Sequence, residues 1–453
     1  LLHIHGHSIR SVAACILDLV KFLDCRTDPA AVFKMDGDNQ HQEEIVRCDA
    51  EDFSLSSFLR PCRNILIGVR QNTARRAVTS GVGPERAAMR LAATLLSEKH
   101  HHWQQVPSSQ MFRPVLSPTV IPERINTFRA HGIFLALHCY LLQHGPHPIS
   151  IWLLLSFICG KDTMLIPKHI LEYMDPGVAK LLAAWYEFLP DSPVPPASDH
   201  SHPLRLFILE HWIPAIQPNL ISDVRTPEEH KAWIITAFSI ILFGHPDPWN
   251  HPEYLALREG FNKAFGRLRF NESLRSLRAS AFLVAIYDRR VHRIEEVQDH
   301  LSYSVTSRHS DLTTPYLVKL FRLRVEEYLQ GAGHPVELRD RIKAFGIPDE
   351  QFIATQGDPL LRANLLLRCG SDSDMRPTED NWNLSFNFRG RSVSRLNVPE
   401  PLAFHTCFYS IEVDLNDGLR QLLLDPVVSV HGVSSRFTLW IHEQMVDPDH
   451  NAT

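Results

Sequence analysis

No two of the eight cysteines form a CxxC pair, and Cys15, Cys25, Cys48, Cys62, Cys139, Cys159, Cys369 and Cys407 follow no repeat. That argues against a zinc module and a disulfide framework, and makes a reducing compartment, cytoplasmic or nuclear, the expectation. Long apolar runs are missing as well. The two longest, Ile149–Cys159 and Ala232–Phe243, fall well short of the ~20 residues of a membrane span and read as buried helices. There is no long basic run. With a formal charge of −5 and a pI near 6.6, the chain lacks the concentrated positive field of a nonspecific nucleic-acid binder. The G-x-S-x-G elbow of a serine hydrolase does not occur. Gly331-Ala332-Gly333-His334 lacks the lysine–serine or lysine–threonine pair of a phosphate loop and reads as a helix stop. The start, Leu1-Leu2-His3-Ile4-His5, shows no basic region ahead of an apolar core, so no signal peptide is read there. A first residue other than methionine is what a fragment of a longer protein would have.

What is present suits two or three folded units: 453 residues, 44% of them hydrophobic. Most of the chain carries helical spacing. Glu123–His144 places Ile125, Phe128, Leu135, Cys139 and Leu142 on one stripe, and Gly145-Pro146 closes it. Asp175-Pro176 opens another helix through Phe188, with aspartate as cap and proline just inside. A proline-rich stretch, Leu189–Pro196, begins a small helical insert over 189–250, for whose apolar residues (Trp212, Ile213, Phe238, Phe243) both core and docking roles are open. Ser302–Thr314 is polar and turn-rich, as a hinge or linker would be. Helices resume over Pro315–Gln330 and Asp358–Arg368. Strand alternation appears only afterwards, in Trp382–Phe388 and in part through Ser410–Val413. The expected fold class is therefore α+β and mostly helical. The 26 histidines include two clusters, His3-His5-His7 and His100-His101-His102, which lack a carboxylate or cysteine at ligand spacing and read as solvated surface, with no metal. His131 and His138 read as packed or capping residues.

Phe404-His405-Thr406-Cys407-Phe408 is the most informative string. It sits between a proline-bearing segment (Pro399, Glu400, Pro401) and an amphipathic helix over Leu415–Leu424. A cysteine on a loop ahead of a helix can be exposed and nucleophilic, acting as its thiolate; a buried structural thiol is the alternative. The string resembles the active-site signature of HECT-type ubiquitin ligases. Other segments resemble that family in the right order over roughly residues 75–425. They are Gly81–Arg86, Phe128–Leu137, Pro148–Ser150, Leu171–Pro176, Arg258–Asn262 and Leu366–Ser371, the last resembling a TGS turn with Cys369 in the threonine place. Two departures stand next to the signature: Tyr409 where asparagine is usual, and Val413-Asp414 in place of leucine–proline. The chain also runs on past the last helix of the family pattern, through Phe437 and Trp440.

The resemblance implies a bilobal domain. A large helical N-lobe would cover 75–303 after an extension over 1–74, a hinge would lie at 304–314, and a small α+β C-lobe would cover 315–453. It implies ubiquitin transfer from a conjugating enzyme to Cys407 as a thioester and then to a lysine of a protein substrate. His405, Thr406 and Phe408 would support the cysteine, with no cofactor. Asp414, Asp417 and Asp425 are sequence neighbours able to serve as base in the second step. A degenerate relative acting as a binding module, or a helical interaction scaffold, are the alternatives.

Overall fold

Two helices of the first half approach each other where both have lost their side chains. The computed structural model describes residues 2–6, 8–25, 44–48, 64–67, 70–71, 74–75, 79–80, 82–161, 166–196, 198–212, 222–265, 281, 286–305, 314–371, 373–377, 381–389, 398–425 and 434–447. Their contacts divide the chain into two compact units, Leu1–Ile67 with Ala88–Asp288 and Gly68–Ala87 with Arg289–Thr453. The architecture is α+β, mostly helical with small sheets. Among the described residues no helix is long and apolar enough to cross a membrane.

In the first unit a strand, β1 (Leu2–Gly6), precedes α1 (Ile9–Cys25). The unit is then built around α2 (Pro122–Leu142), α3 (Ile151–Cys159), α4 (Pro176–Glu187), α5 (Pro227–Phe243) and α6 (Pro252–Phe265). A Cβ added to Gly132 of α2 would overlap the Leu257 carbonyl of α6, and one added to Gly260 of α6 would overlap the Arg129 carbonyl of α2. Glycine at both points is what lets the two backbones touch. Arg124 of α2 then locks the pair by ion-pairing with Glu253 of α6, Nε to Oε1 2.5 Å, the carboxylate being fully buried. Trp103, Trp152, Trp185, Phe134, Phe157 and Tyr254 fill the core. Helix starts follow their caps. The Asp175 side chain accepts from the Val178 N–H ahead of Pro176, and Thr226 and Glu229 form a reciprocal capping box at the start of α5. Phe238 and Phe243 of the insert are core. The Trp212 side chain and Ile213 lie outside the described residues.

The second unit holds a four-stranded sheet. It comprises β2 (Leu301–Val305), β3 (Leu384–Arg389), β4 (Ala403–His405) and β5 (Ser410–Asp414), in the order β4-β5-β3-β2. β3 is parallel to both neighbours, and β4 is antiparallel to β5. Side chains alternate between faces. Phe386, Phe388, Ile411, Val413 and Phe404 point inward, where Phe321 of α7 (Thr314–Leu329) meets Phe386 and Phe388 edge-on at 5.4 and 5.1 Å. Phe437 and Ile441 of α10 (Arg436–Val446) close that core, so the aromatic tail beyond the signature is structural. The outer face is polar. Ser302 bonds Ser385 at 2.7 Å, and Asn387 links Ser304 to Ser410 at 2.5 Å each.

Two sequence expectations change here. Leu366–Ser371, expected as a turn, is the end of α8 (Leu361–Ser371), with Gly370 pressed on the Leu384 side chain. Ser302–Val305, expected as linker, is β2; residues 306–313 lie outside the described residues.

Candidate functional site

The β4–β5 hairpin carries the signature. β4 ends at His405, Thr406–Phe408 form a single 3-10 turn, and Tyr409 reverses the chain with φ 48° and ψ 47° before β5 begins at Ser410. Cys407 is the middle residue of that turn; its side chain lies outside the described residues. Thr406 is half-buried. Phe408 is 81% exposed, although the phenylalanines of the strands and helices around it are buried.

His405 and Glu412 meet on the polar face. The register sets Ala403 against Glu412 and His405 against Ser410, which makes His405 and Glu412 diagonal neighbours. Glu412 Oε2 lies 3.3 Å from His405 Nε2, and the other carboxylate oxygen pairs with Arg389 at the end of β3. The His405–Glu412 contact has ion-pair distance without hydrogen-bond alignment, since Nε2 makes no hydrogen bond. Tyr409 Oη accepts a long hydrogen bond from Arg86 Nη1, 3.4 Å, within the same unit.

The helix after the hairpin is α9 (Asp417–Leu424). Asn416 caps it, accepting from Leu419 N–H at 2.8 Å while its amide donates to the Val398 carbonyl at 3.0 Å. Leu415, Leu419, Leu422 and Leu423 are buried as the amphipathic pattern requires. Of the acidic neighbours, Asp414 ends β5, and burial raises its carboxyl above the usual range, Arg389 opposing and Glu400 and Glu412 adding to the rise. The Asp425 carboxylate pairs with Arg436 at 3.0 Å, and Asp417 stands in the first turn of α9.

Two of the other thiols are poor rivals. Burial pushes the Cys139 thiol up to about 12, and the Cys369 Sγ donates to the Met445 carbonyl inside the core. Among the described residues no group of three or more His, Cys, Asp or Glu is placed to hold a metal ion. His102, expected on the solvated surface, is instead half-buried against Phe128 and His131, and burial lowers it to about 4. His100 and His101 are exposed as expected.

No protein-family model matches the chain, and no curated protein matches it. The sequence reading missed Glu412 and Arg389. The available signal was the alternation of β5, which puts Ser410, Glu412 and Asp414 on one face; pairing with His405 needed the hairpin register.

Proposed function

We propose that this chain is a HECT-type ubiquitin–protein ligase that accepts ubiquitin as a thioester on Cys407 and passes it to a substrate lysine. The observation that carries the reading is the hairpin turn. The residue that the motif makes nucleophilic occupies a tight surface turn between His405 and the solvated Phe408. The ordered resemblances upstream, from Gly81 to Asn262, support it. Two compact units, the second holding the sheet that carries the signature hairpin, support it as well.

Transfer between thioesters exchanges one carbon–sulfur bond for another. The Cys407 sulfur would attack the carbonyl carbon of the donor thioester, and the donor sulfur would depart. Little bond energy changes, so the protein's task is to supply a thiolate and to place it. The insert at 189–250 is the proposed dock for the conjugating enzyme; Leu206, Leu209 and Val224 leave apolar surface exposed there.

The test is a reducible ubiquitin adduct formed with purified activating and conjugating enzymes. We expect one on the wild-type chain and none on Cys407→Ala. A wild-type chain that loads no ubiquitin retires the catalytic reading.

One observation favours the second reading, a binding module without transfer. Tyr409 holds a left-handed backbone angle that asparagine tolerates better. Capture of a charged conjugating enzyme without any adduct is the result that selects it.

A further inference from the structure

In the first unit a cleft of about 580 Å3 opens between Lys180–Glu187 of α4 and the proline-rich stretch that follows. Clefts of roughly 300–1,000 Å3 are the size that encloses a small organic molecule. The proline wall is fixed in place. Arg225 donates to the carbonyls of Leu189 and Ser192 at 3.1 and 2.7 Å, and its guanidinium lies 4.2 Å over the Phe188 ring. Arg205 donates to the Pro195 carbonyl, and the Val194 N–H donates to Asp223 at 2.8 Å. Pro193 and Pro195 add their fixed φ angles. A wall held in this way loses little freedom when a ligand enters. Phe188 and Pro195, both buried, and Ala184 of α4 supply apolar lining.

The polar groups of the cleft are mostly donors without an acceptor. The Lys180 ammonium makes no ion pair or hydrogen bond among the described residues. Ser192 Oγ accepts from the Leu189 N–H at 3.2 Å, which leaves its own proton to donate. His202 Nδ1 accepts from the Leu204 N–H at 3.2 Å, so the ring carries a donor at Nε2. The carboxylate in the lining, Glu187, already has Lys168 at 3.6 Å. Arg205 and Arg225 are held by backbone carbonyls. An anion with several lone pairs is what Lys180, Ser192 and His202 lack, and a flat carbon body is what the ring and the prolines fit. We propose that this cleft binds a small carboxylic acid with a flat apolar body, its carboxylate held by Lys180 with Ser192 and His202. The site does not rest on the ligase reading. Leu206, Leu209 and Val224, the surface proposed there for a conjugating enzyme, do not line it.

The experiment is titration calorimetry of the full chain with 2-naphthoate, and with 2-naphthamide as the same body without the charge. We expect saturable binding of the acid with a Kd on the order of 0.1 mM, and binding of the amide about tenfold weaker. Lys180 is exposed, so Lys180→Met removes the charge without disturbing packing. It should weaken the acid about tenfold and leave the amide unchanged, erasing the preference. Ala184→Leu fills the cleft and should abolish binding of both. No saturable binding of the acid up to about 1 mM, equal affinity for acid and amide, or a preference that survives Lys180→Met overturns the proposal. Unchanged binding to Ala184→Leu overturns it equally, since the ligand would then sit elsewhere. If Ala184→Leu does not fold, the Lys180→Met comparison decides alone.

Discussion

Tyr409 occupies a backbone angle that costs a residue with a Cβ about 1–2 kcal/mol. Its ring recovers part of that by packing on the second core and by the Arg86 bond. Comparing two truncations isolates the backbone term, because Tyr409→Ala and Tyr409→Gly lose the same ring. Elsewhere glycine is the less stable of the two. Here we expect Tyr409→Gly to exceed Tyr409→Ala by about 1 kcal/mol in urea unfolding. Equal stability, or the ordinary order, would mean that the turn is not left-handed at this position. The same residue marks what could be read beforehand. The departure from asparagine was visible as a letter, while its physical content, a positive φ, came only with the turn. His405, Thr406, Cys407 and Phe408 were legible because they are contiguous. Glu412 was not, since its relation to His405 depends on which residues a hairpin sets opposite each other.

At the scale of elements, glycine explains two motifs that were noticed only as resemblances. Gly132 and Gly260 are the contact between α2 and α6, and each faces a carbonyl of the other helix. An alanine in an exposed helix interior stabilises it by about 1 kcal/mol relative to glycine. At these two positions the sign should reverse, since a methyl group meets backbone that cannot rotate aside. We expect Gly132→Ala and Gly260→Ala each to destabilise the first unit by about 3 kcal/mol or more, read from the denaturant midpoint. Gly357, which has open space where a Cβ would go, is the control and should change stability little. Helix positions were legible within a few residues because caps and prolines announce them, as at Asp175-Pro176. β2 was not. Its serines look like linker until they pair with Ser385 and Asn387, some eighty residues on, and no local pattern carries that information. α8 was misread at its end because Leu366–Ser371 resembles a TGS turn. Gly370 stays helical there since its missing Cβ is the space that Leu384 fills.

Across the whole molecule the buried histidines become a shared sensitivity to acid. His131 and His138 are buried in the first unit and His442 in the second, and burial holds all three well below the ordinary histidine range. His442 is threaded between Tyr328 Oη at 3.0 Å and His334 Nδ1 at 2.8 Å, a neutral chain with no room for an added charge. Unfolded, each ring takes a proton near pH 6.5. Folded, it stays neutral to far lower pH. Between those limits the unfolded chain binds more protons, so stability falls as pH falls. The loss begins near pH 6.5 and approaches about 1.4 kcal/mol per pH unit for each ring. Above about pH 7 the contribution is complete and flat. Peptide-level hydrogen exchange separates the units, with α2 reporting on the first and α10 on the second. Protection of both should drop when the protein is moved from neutral pH to about pH 5.5, after correction for intrinsic exchange. His138→Leu removes a ring whose two nitrogens make no aligned hydrogen bond. It should leave the first unit more stable than wild type in acid and flatten its pH dependence, while the second unit keeps its full slope. Protection that stays constant down to pH 5.5 would mean that these rings are hydrated or already paired. The link between burial and acid lability would then fail for both units together.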